Sequence, residues 1–187
     1  MKILQTLTFI LVISLCSQSQ INAQEALTPP SEGKAVIYFL RTTSLGALMN
    51  FRLFDKSQII AKYKGRNYVR YECDPGEGIF WIKAENIDFI ETDLEAGKIY
   101  LVETNAVMGG FSAGVKFKLV DYSDEKQMKR INKLLEEKEA KVFTEEELKE
   151  EQEGNKTVIQ KGMAKVVKKR KKGKKIKRLT ADMDYKI

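Results

Sequence analysis

Between residues 33 and 122, short segments with alternating hydrophobic and polar residues are separated by turn-forming residues. A period of two is typical of β-strands that bury one face. The pattern predicts eight strands, at residues 34–41, 50–54, 58–63, 68–73, 79–84, 87–92, 98–104 and 115–120. Short strands at this spacing, separated by turns such as Glu95-Ala96-Gly97 and Gly109-Gly110, are typical of antiparallel sheets. The sequence therefore predicts a mainly β fold, an antiparallel β-sandwich.

The alternation also assigns side chains to the two faces of a strand. Val69 and Tyr71 fall on one face of the fourth predicted strand and are expected in the core. In the next strand Phe80 and Ile82 are expected to face inward, so Trp81 points outward. An exposed outward indole would be a candidate binding residue, whereas a second sheet or the C-terminal helices could also cover it.

Several parts of the chain together carry a family resemblance: residues 34–41, Tyr68 followed by Pro75-Gly76, residues 96–100, and the last strand at 115–120. Over roughly residues 33–121 the chain resembles the bacterial family called domain of unknown function 2846. The resemblance implies a prealbumin-like or carbohydrate-binding-like β-sandwich in exported proteins, with no established activity. Several relatives have histidine two residues after the glycine of the Pro-Gly turn, where this chain has Gly78. Any role of that histidine is therefore not expected here.

The N-terminus has the layout of a secretory signal. Lys2 precedes an apolar stretch within residues 4–15, and polar residues then lead to Ala23. We expect cleavage near Ala23 and export to the periplasm, the outer membrane surface or the medium. The apolar stretch is shorter than the ~20 residues of a membrane-spanning helix. The alternative is lipoprotein processing at Cys16, against which the bulky Leu15 argues.

After residue 122 the hydrophobic period changes to that of helices. Ser123 is a candidate N-cap for a helix in which Met128, Ile131, Leu134 and Leu135 share one face. Thr144 opens a second, acidic helix with the spacing of a capping box. The chain is thus expected to comprise a signal peptide (1–23), an extended leader (24–32), a β-sandwich (33–122), amphipathic and acidic helices (123–154) and a basic helical or disordered tail (155–187).

The composition argues against catalysis. The chain contains no histidine, which excludes Ser-His and Cys-His catalysis and the usual zinc and copper sites. Cys73 shares the apolar face of its strand and is best explained as a small buried hydrophobe. We therefore predict no enzyme activity, no cofactor and no metal. A weaker alternative is a glycan hydrolase that uses a pair of carboxylates drawn from Asp88, Glu91, Asp93 and Glu95.

The excess positive charge is concentrated in the tail. The chain has 33 lysines and arginines against 26 acidic residues, and residues 155–178 contain no acidic residue. The candidate binding residues in this segment are Lys161, Lys165, Lys168, Lys169, Arg170, Lys171, Lys172, Lys174 and Lys175. Such a field attracts polyanions through their phosphates. Because export makes nucleic acid an unlikely partner, the expected partners are anionic lipid, lipopolysaccharide or cell-wall polymer.

The function predicted from these features is a non-enzymatic binding or structural module of the cell envelope. The alternative is a surface binder whose segment 161–178 folds on anionic lipid or polysaccharide, with Val166 and Val167 inserted shallowly. A third interpretation gives the tail no ligand. In that case its lysines dock on the acidic helix at residues 145–153 of the same chain, or keep the protein in solution.

Overall fold

A computed structural model describes residues 27–108 and 113–186 of the chain, and the predicted signal peptide with Cys16 lies outside them. Within these residues the fold is mainly β, with two mixed sheets and three helices. The elements are β1 (Ala35–Arg41), β2 (Phe51–Asp55), β3 (Gln58–Tyr63), β4 (Asn67–Cys73), β5 (Gly76–Lys83), β6 (Ile87–Leu94), β7 (Ile99–Met108), β8 (Ala113–Leu119), α1 (Glu125–Glu137), α2 (Glu145–Gly154), α3 (Lys156–Lys171) and β9 (Lys177–Leu179). The eight predicted strands are confirmed, with bounds that differ by a few residues.

The first sheet has the strand order β4-β1-β7-β8 and the second has the order β3-β2-β5-β6-β9. Most neighbours are antiparallel, but β1 pairs with β7 and β6 with β9 in parallel. The prediction of a purely antiparallel arrangement is therefore wrong. Parallel neighbours need a long crossover rather than a tight turn. Between β1 and β7 the chain enters the second sheet twice and returns once to the first as β4, and between β6 and β9 it passes through β7, β8 and the three helices.

The main hydrophobic core lies between the two sheets. It contains the inward-facing aromatic residues Phe39, Phe80 and Phe117. The ring centroid of Phe39 lies 5.4 Å from that of Phe80 and 6.0 Å from that of Phe117. Val69 is buried in this core as predicted, and Tyr71 packs against its edge. Alternation along each strand thus places one hydrophobic row of each sheet against the other.

Helix α1 covers the outer face of the first sheet. Ile131, Leu134 and Leu135 are buried there, on the helix face that the sequence predicts. The N-cap is Asp124 rather than Ser123, because the Asp124 carboxylate accepts the backbone N–H of Gln127. Ser123 instead bonds through its side chain to Asp121. No helix in the part of the chain described here is long and apolar enough to cross a membrane.

The C-terminal segment covers the outer face of the second sheet. Helix α3 packs on that sheet, and the chain then adds β9 to the sheet edge beside β6. The predicted helical character of the basic tail is confirmed for Lys156–Lys171, whereas residues 177–179 form a strand that the sequence did not predict. The burial of Ile176 and Leu179 on the two sides of the sheet fixes this segment. The molecule has four layers in the order helix, sheet, sheet, helix.

Candidate anion-binding groove

Trp81 is the point at which α3 docks on the second sheet. Its side chain points away from the main core as predicted, but it is fully buried. The indole stacks on Phe54 with ring centroids 3.7 Å apart, and its Nε1–H donates to the carbonyl of Lys56 at 2.7 Å. Gly162 of α3 lies directly over the indole ring. Trp81 is therefore not a binding residue, because the tail helix covers it.

The burial of α3 determines which of its side chains remain accessible. Ile159, Gly162 and Val166 are buried against the sheet, whereas Val167 is about half exposed. The predicted shallow insertion of Val166 into lipid is therefore wrong, since Val166 faces the protein. Segment 156–171 is a helix that packs on the second sheet. A ligand would meet a preformed helix, and would not have to fold the tail.

The end of α3 turns the following residues back toward the sheet. Gly173 adopts a left-handed backbone with φ of 61° and donates its N–H to the carbonyl of Arg170, while Lys174 donates to that of Lys169. These two bonds form a Schellman motif, which favours glycine because the left-handed conformation penalises a Cβ. Lys174 is thereby brought beside the C-terminal half of α3.

Three basic residues of the tail form ion pairs with carboxylates of the second sheet. Arg170 binds Glu91 at 2.7 Å, and Lys177 binds Asp88 at 3.2 Å. Arg178 lies 3.5 Å from Asp93. These contacts fix the tail on the sheet, although exposed pairs of this kind stabilise a protein by only about 0–1 kcal/mol each.

The same contacts bear on the proposed hydrolase carboxylates. Asp88 faces the main core side of β6 and accepts the backbone N–H of Phe117, whereas Glu91 and Asp93 lie on the opposite face. Glu95 lies beyond the strand and pairs with Lys98 at 2.5 Å. Each carboxylate has its own cation and they do not converge on one cleft. The geometry thus favours a structural role for all four.

Five lysines line a groove between the end of α3 and the start of β6, which we call the lysine groove. Ile87 and Phe89 of β6 line its apolar side, and its volume is about 260 Å³. The lysines are Lys165, Lys168, Lys169, Lys172 and Lys174. Among the described residues none of the five has a carboxylate at ion-pairing distance. Only Lys169 has a protein partner for its ammonium, the ring of Phe89, whose centroid lies 5.6 Å away.

The groove gathers some of the predicted binding residues and leaves out others. Lys161, Lys171 and Lys175 are exposed on the same segment but do not line the groove. Arg170 is bound by Glu91. The sequence predicts the charged segment but does not show which of its cations form ion pairs. The carboxylate that binds Arg170, that of Glu91 in β6, lies about 80 residues away in the chain.

The acidic helix α2 does not hold the basic tail. Thr144 forms the predicted capping box, which is confirmed, and α2 packs against β3. Its Gln152 side chain accepts the N–H of Ile59 at 2.9 Å, and Glu151 pairs with Lys62. A single ion pair, between Glu153 and Lys156, joins α2 to the start of α3. The expectation that the tail docks on α2 is wrong, because each helix docks separately on the sheet.

Sequence reasoning missed two further cations beside the groove. Arg52 and Lys83 lie directly opposite each other on β2 and β5. Burial lowers the pKa of Lys83, and the positive charges of Arg52 and Lys165 lower it further. No signal in the sequence could have found this pair, because it depends on the pairing register of strands about 30 residues apart.

Cys73 is half-buried at the edge of the main core. Burial, together with the charge of Asp55, raises the pKa of its thiol to about 12. The thiolate, the form that attacks electrophiles and binds metals, is therefore rare at neutral pH. Within residues 27–108 and 113–186, no three acidic or cysteine side chains come together as a metal site.

Comparison with models of known protein families found no match to this chain. A search of curated proteins likewise found no significant match.

Proposed function

We propose that the protein is an exported, non-enzymatic binding module of the cell envelope that holds a phosphate-bearing ligand in the lysine groove. One observation carries the proposal. Neighbouring cations of the tail, such as Arg170 and Lys177, are neutralised by carboxylates of the sheet, whereas the five groove lysines have no carboxylate partner within residues 27–108 and 113–186. Unpaired cations brought together in a concave site favour an anionic ligand.

The chemistry of the groove fits phosphate better than an extended apolar ligand. Lysine ammonium groups are compact point charges, and each is worth about 1 kcal/mol near an anionic surface. The apolar side formed by Ile87 and Phe89 gives the carbon frame of a phosphorylated sugar or lipid headgroup a surface to pack on. Because α3 is already docked on Trp81, binding would not cost the entropy of ordering the tail.

The shape of this surface favours a protruding phosphate group over a flat membrane. An interfacial helix buries an apolar face in lipid. Here that face of α3 is buried against the sheet, and among the described residues of α3 Val167 is the one large hydrophobic side chain that is exposed. We therefore favour lipopolysaccharide or a cell-wall polymer over bulk anionic lipid as the ligand.

Two further elements of the proposal rest on the sequence. The N-terminal layout supports export, and export argues against nucleic acid as a partner. The resemblance to the domain of unknown function 2846 family supports a sandwich of the prealbumin-like or carbohydrate-binding-like type. That family has no established activity, in line with a binding module.

The test compares two charge-matched triple variants of the same segment. Lys165→Gln, Lys168→Gln and Lys172→Gln together remove groove lysines, whereas Lys161→Gln, Lys171→Gln and Lys175→Gln remove exposed lysines outside the groove. Binding of short-chain polyphosphate by titration calorimetry should weaken by about 100-fold in the first variant, since three lysines at ~1 kcal/mol each amount to ~3 kcal/mol. The second variant should bind within a few fold of wild type. Equal losses in both variants would mean that net charge alone attracts the probe, and would refute a groove.

Vesicles test the lipid alternative with the same proteins. We expect weak binding to phosphatidylglycerol-containing vesicles that falls with salt and is unaffected by Val167→Asp. If Val167→Asp abolishes vesicle binding, the protein inserts into lipid and the surface-binder alternative replaces the proposal.

A further inference from the structure

Arg52 and Lys83 present an electrostatic conflict on the outer face of the second sheet. They are register partners on adjacent antiparallel strands, which brings their Cβ atoms to within about 4.5–5.5 Å. Like charges in this position destabilise a sheet. Both side chains are half-buried, so water screens their repulsion less than it would at an open surface.

No carboxylate among the described residues resolves this conflict. Lys83 donates only to the carbonyl of its neighbour Ala84, at 2.9 Å. The Arg52 guanidinium forms no ion pair in the described part of the chain, and its Nε is buried without an acceptor. The register partner of Arg52 on its other side is Lys62, a further cation, and Lys62 holds the carboxylate of Glu151.

Lys165 brings a third cation to the same place. Gly162 fixes α3 over Trp81, and Lys83 lies two residues beyond Trp81 on the same face of β5. Lys165 lies about one helical turn after Gly162 and lines the lysine groove together with Ile87. Ile87 is the residue of β6 that pairs with Lys83 of β5. The lowered pKa of Lys83 reflects burial first, and then the two neighbouring cations. Three cations without a carboxylate partner among the described residues therefore lie near the junction of β2, β5 and α3.

We propose that Arg52, Lys83 and Lys165 form a phosphate-binding subsite that continues into the lysine groove through Lys165. A guanidinium offers a planar fork for two phosphate oxygens, and two ammonium groups complete the charge of a dianion. This inference rests on the proposed function and specifies the class of ligand further. A ligand that fills both the subsite and the groove carries at least two phosphate groups, as multiply phosphorylated glycans and polymers do.

Thermal unfolding with and without inorganic phosphate tests the subsite, and the variants below separate its contribution from that of the groove. Potassium chloride at matched ionic strength serves as the reference, because it screens charges without filling the site. Phosphate well above its dissociation constant should raise the Tm of the full chain by a few degrees relative to chloride. An adventitious effect of ionic strength would give equal Tm values in the two salts and would overturn the proposal.

The Tm of Lys83→Met relative to wild type should differ between potassium chloride and phosphate. In chloride this variant should have a higher Tm than wild type, because the repulsion with Arg52 is removed while the aliphatic stem is kept. In phosphate its Tm should rise by less than that of wild type, because only the groove lysines and the general stabilising effect of phosphate on folded proteins remain. Lys116→Met changes an exposed lysine on β8 and should match wild type in both salts. If Lys83→Met keeps the full response to phosphate, the subsite is refuted.

A second pair of variants separates the subsite from the proposed function. Lys168→Gln with Lys172→Gln should keep most of the Tm response to inorganic phosphate but lose at least tenfold in polyphosphate affinity. Lys83→Met with Arg52→Gln should lose most of the phosphate response and part of the polyphosphate affinity. Unchanged polyphosphate affinity in the first pair would refute the groove, and unchanged affinity in the second would refute the two-phosphate ligand.

Discussion

Replacing Gly162 by alanine should destabilise the protein, although alanine is the better helix former. A Cβ at this position would lie 2.6, 2.8 and 2.9 Å from three carbons of the Trp81 indole. Contacts under 3.0 Å require a shift, and the indole has little freedom to shift. Its one face is stacked on Phe54 at 3.7 Å, and its N–H is bound to the Lys56 carbonyl.

The sign of the effect follows from comparing two magnitudes. Alanine in place of glycine in a helix interior stabilises by about 1 kcal/mol. Overpacking a fixed core contact costs about 1–3 kcal/mol. Because three contacts would fall below 3.0 Å, the cost should lie in the upper part of that range, at ~2–3 kcal/mol, so we expect Gly162→Ala to lower the free energy of unfolding by about 1–2 kcal/mol. That corresponds to a fall in Tm of roughly 2–8 °C for a chain of this size.

Gly154 provides a matched control near the end of α2. A Cβ there meets nothing within 4 Å, so Gly154→Ala should stabilise the protein by about 0.5–1 kcal/mol. Urea unfolding followed by circular dichroism measures both variants. A double-mutant cycle combines Gly162→Ala with Trp81→Phe, which removes the ring atoms nearest to Gly162. The coupling energy between the two substitutions should be at least about 1 kcal/mol. If Gly162→Ala is as stabilising as Gly154→Ala, α3 does not dock on Trp81 as described.

Three further predictions concern buried polar groups. Arg41 is fully buried and donates to three carbonyls of loop 42–50, so Arg41→Met should lower the free energy of unfolding by about 3 kcal/mol in urea denaturation. Burial raises the pKa of Asp55, so its stabilising protonated form is lost as pH rises through that raised pKa. Asp55→Asn should therefore raise Tm at neutral pH but not below the ordinary pKa of aspartate, and an equal gain at both pH values would contradict this cause. Alkylation of Cys73 by iodoacetamide at pH 8 should be far slower in the folded protein than in urea, and equal rates would exclude a pKa of about 12.

Much of the fold follows from local patterns in the sequence. The eight strands, the buried face of α1 and the Thr144 capping box are all set by residues close together in the chain. Local alternation identifies which face of a strand is apolar, but it does not identify the neighbour of that strand. The parallel pairing of β1 with β7 joins residues more than 60 positions apart, so only the packed sheet reveals it.

The strand β9 shows a different limit. Lys177-Arg178-Leu179 has neither the length nor the composition typical of a strand. In the sequence its two charged side chains cannot be distinguished from the rest of the basic tail. The strand forms because β6 offers an unpaired edge, and because Leu179 enters the main core. Its cations are then satisfied by acidic residues of β5 and β6, such as Asp88 and Glu77. Tertiary contacts decide the structure here, and no local signal would have predicted it.

The free lysines of the groove and the Arg52–Lys83 pair differ in how the fold compensates their charge. Helix α3 ends at Lys171, and the negative end of its dipole lies among Lys168, Lys169 and Lys172. That partial charge offsets some of their mutual repulsion even when no ligand is bound. A β-sheet has only a small net dipole, so Arg52 and Lys83 have no such compensation. Removing one positive charge should therefore raise the stability of the protein at the Arg52–Lys83 pair but not in the lysine groove. A phosphate ligand should stabilise the protein at either place. This is the behaviour expected of one extended binding site in which the fold compensates the charge of the groove but not that of the sheet pair.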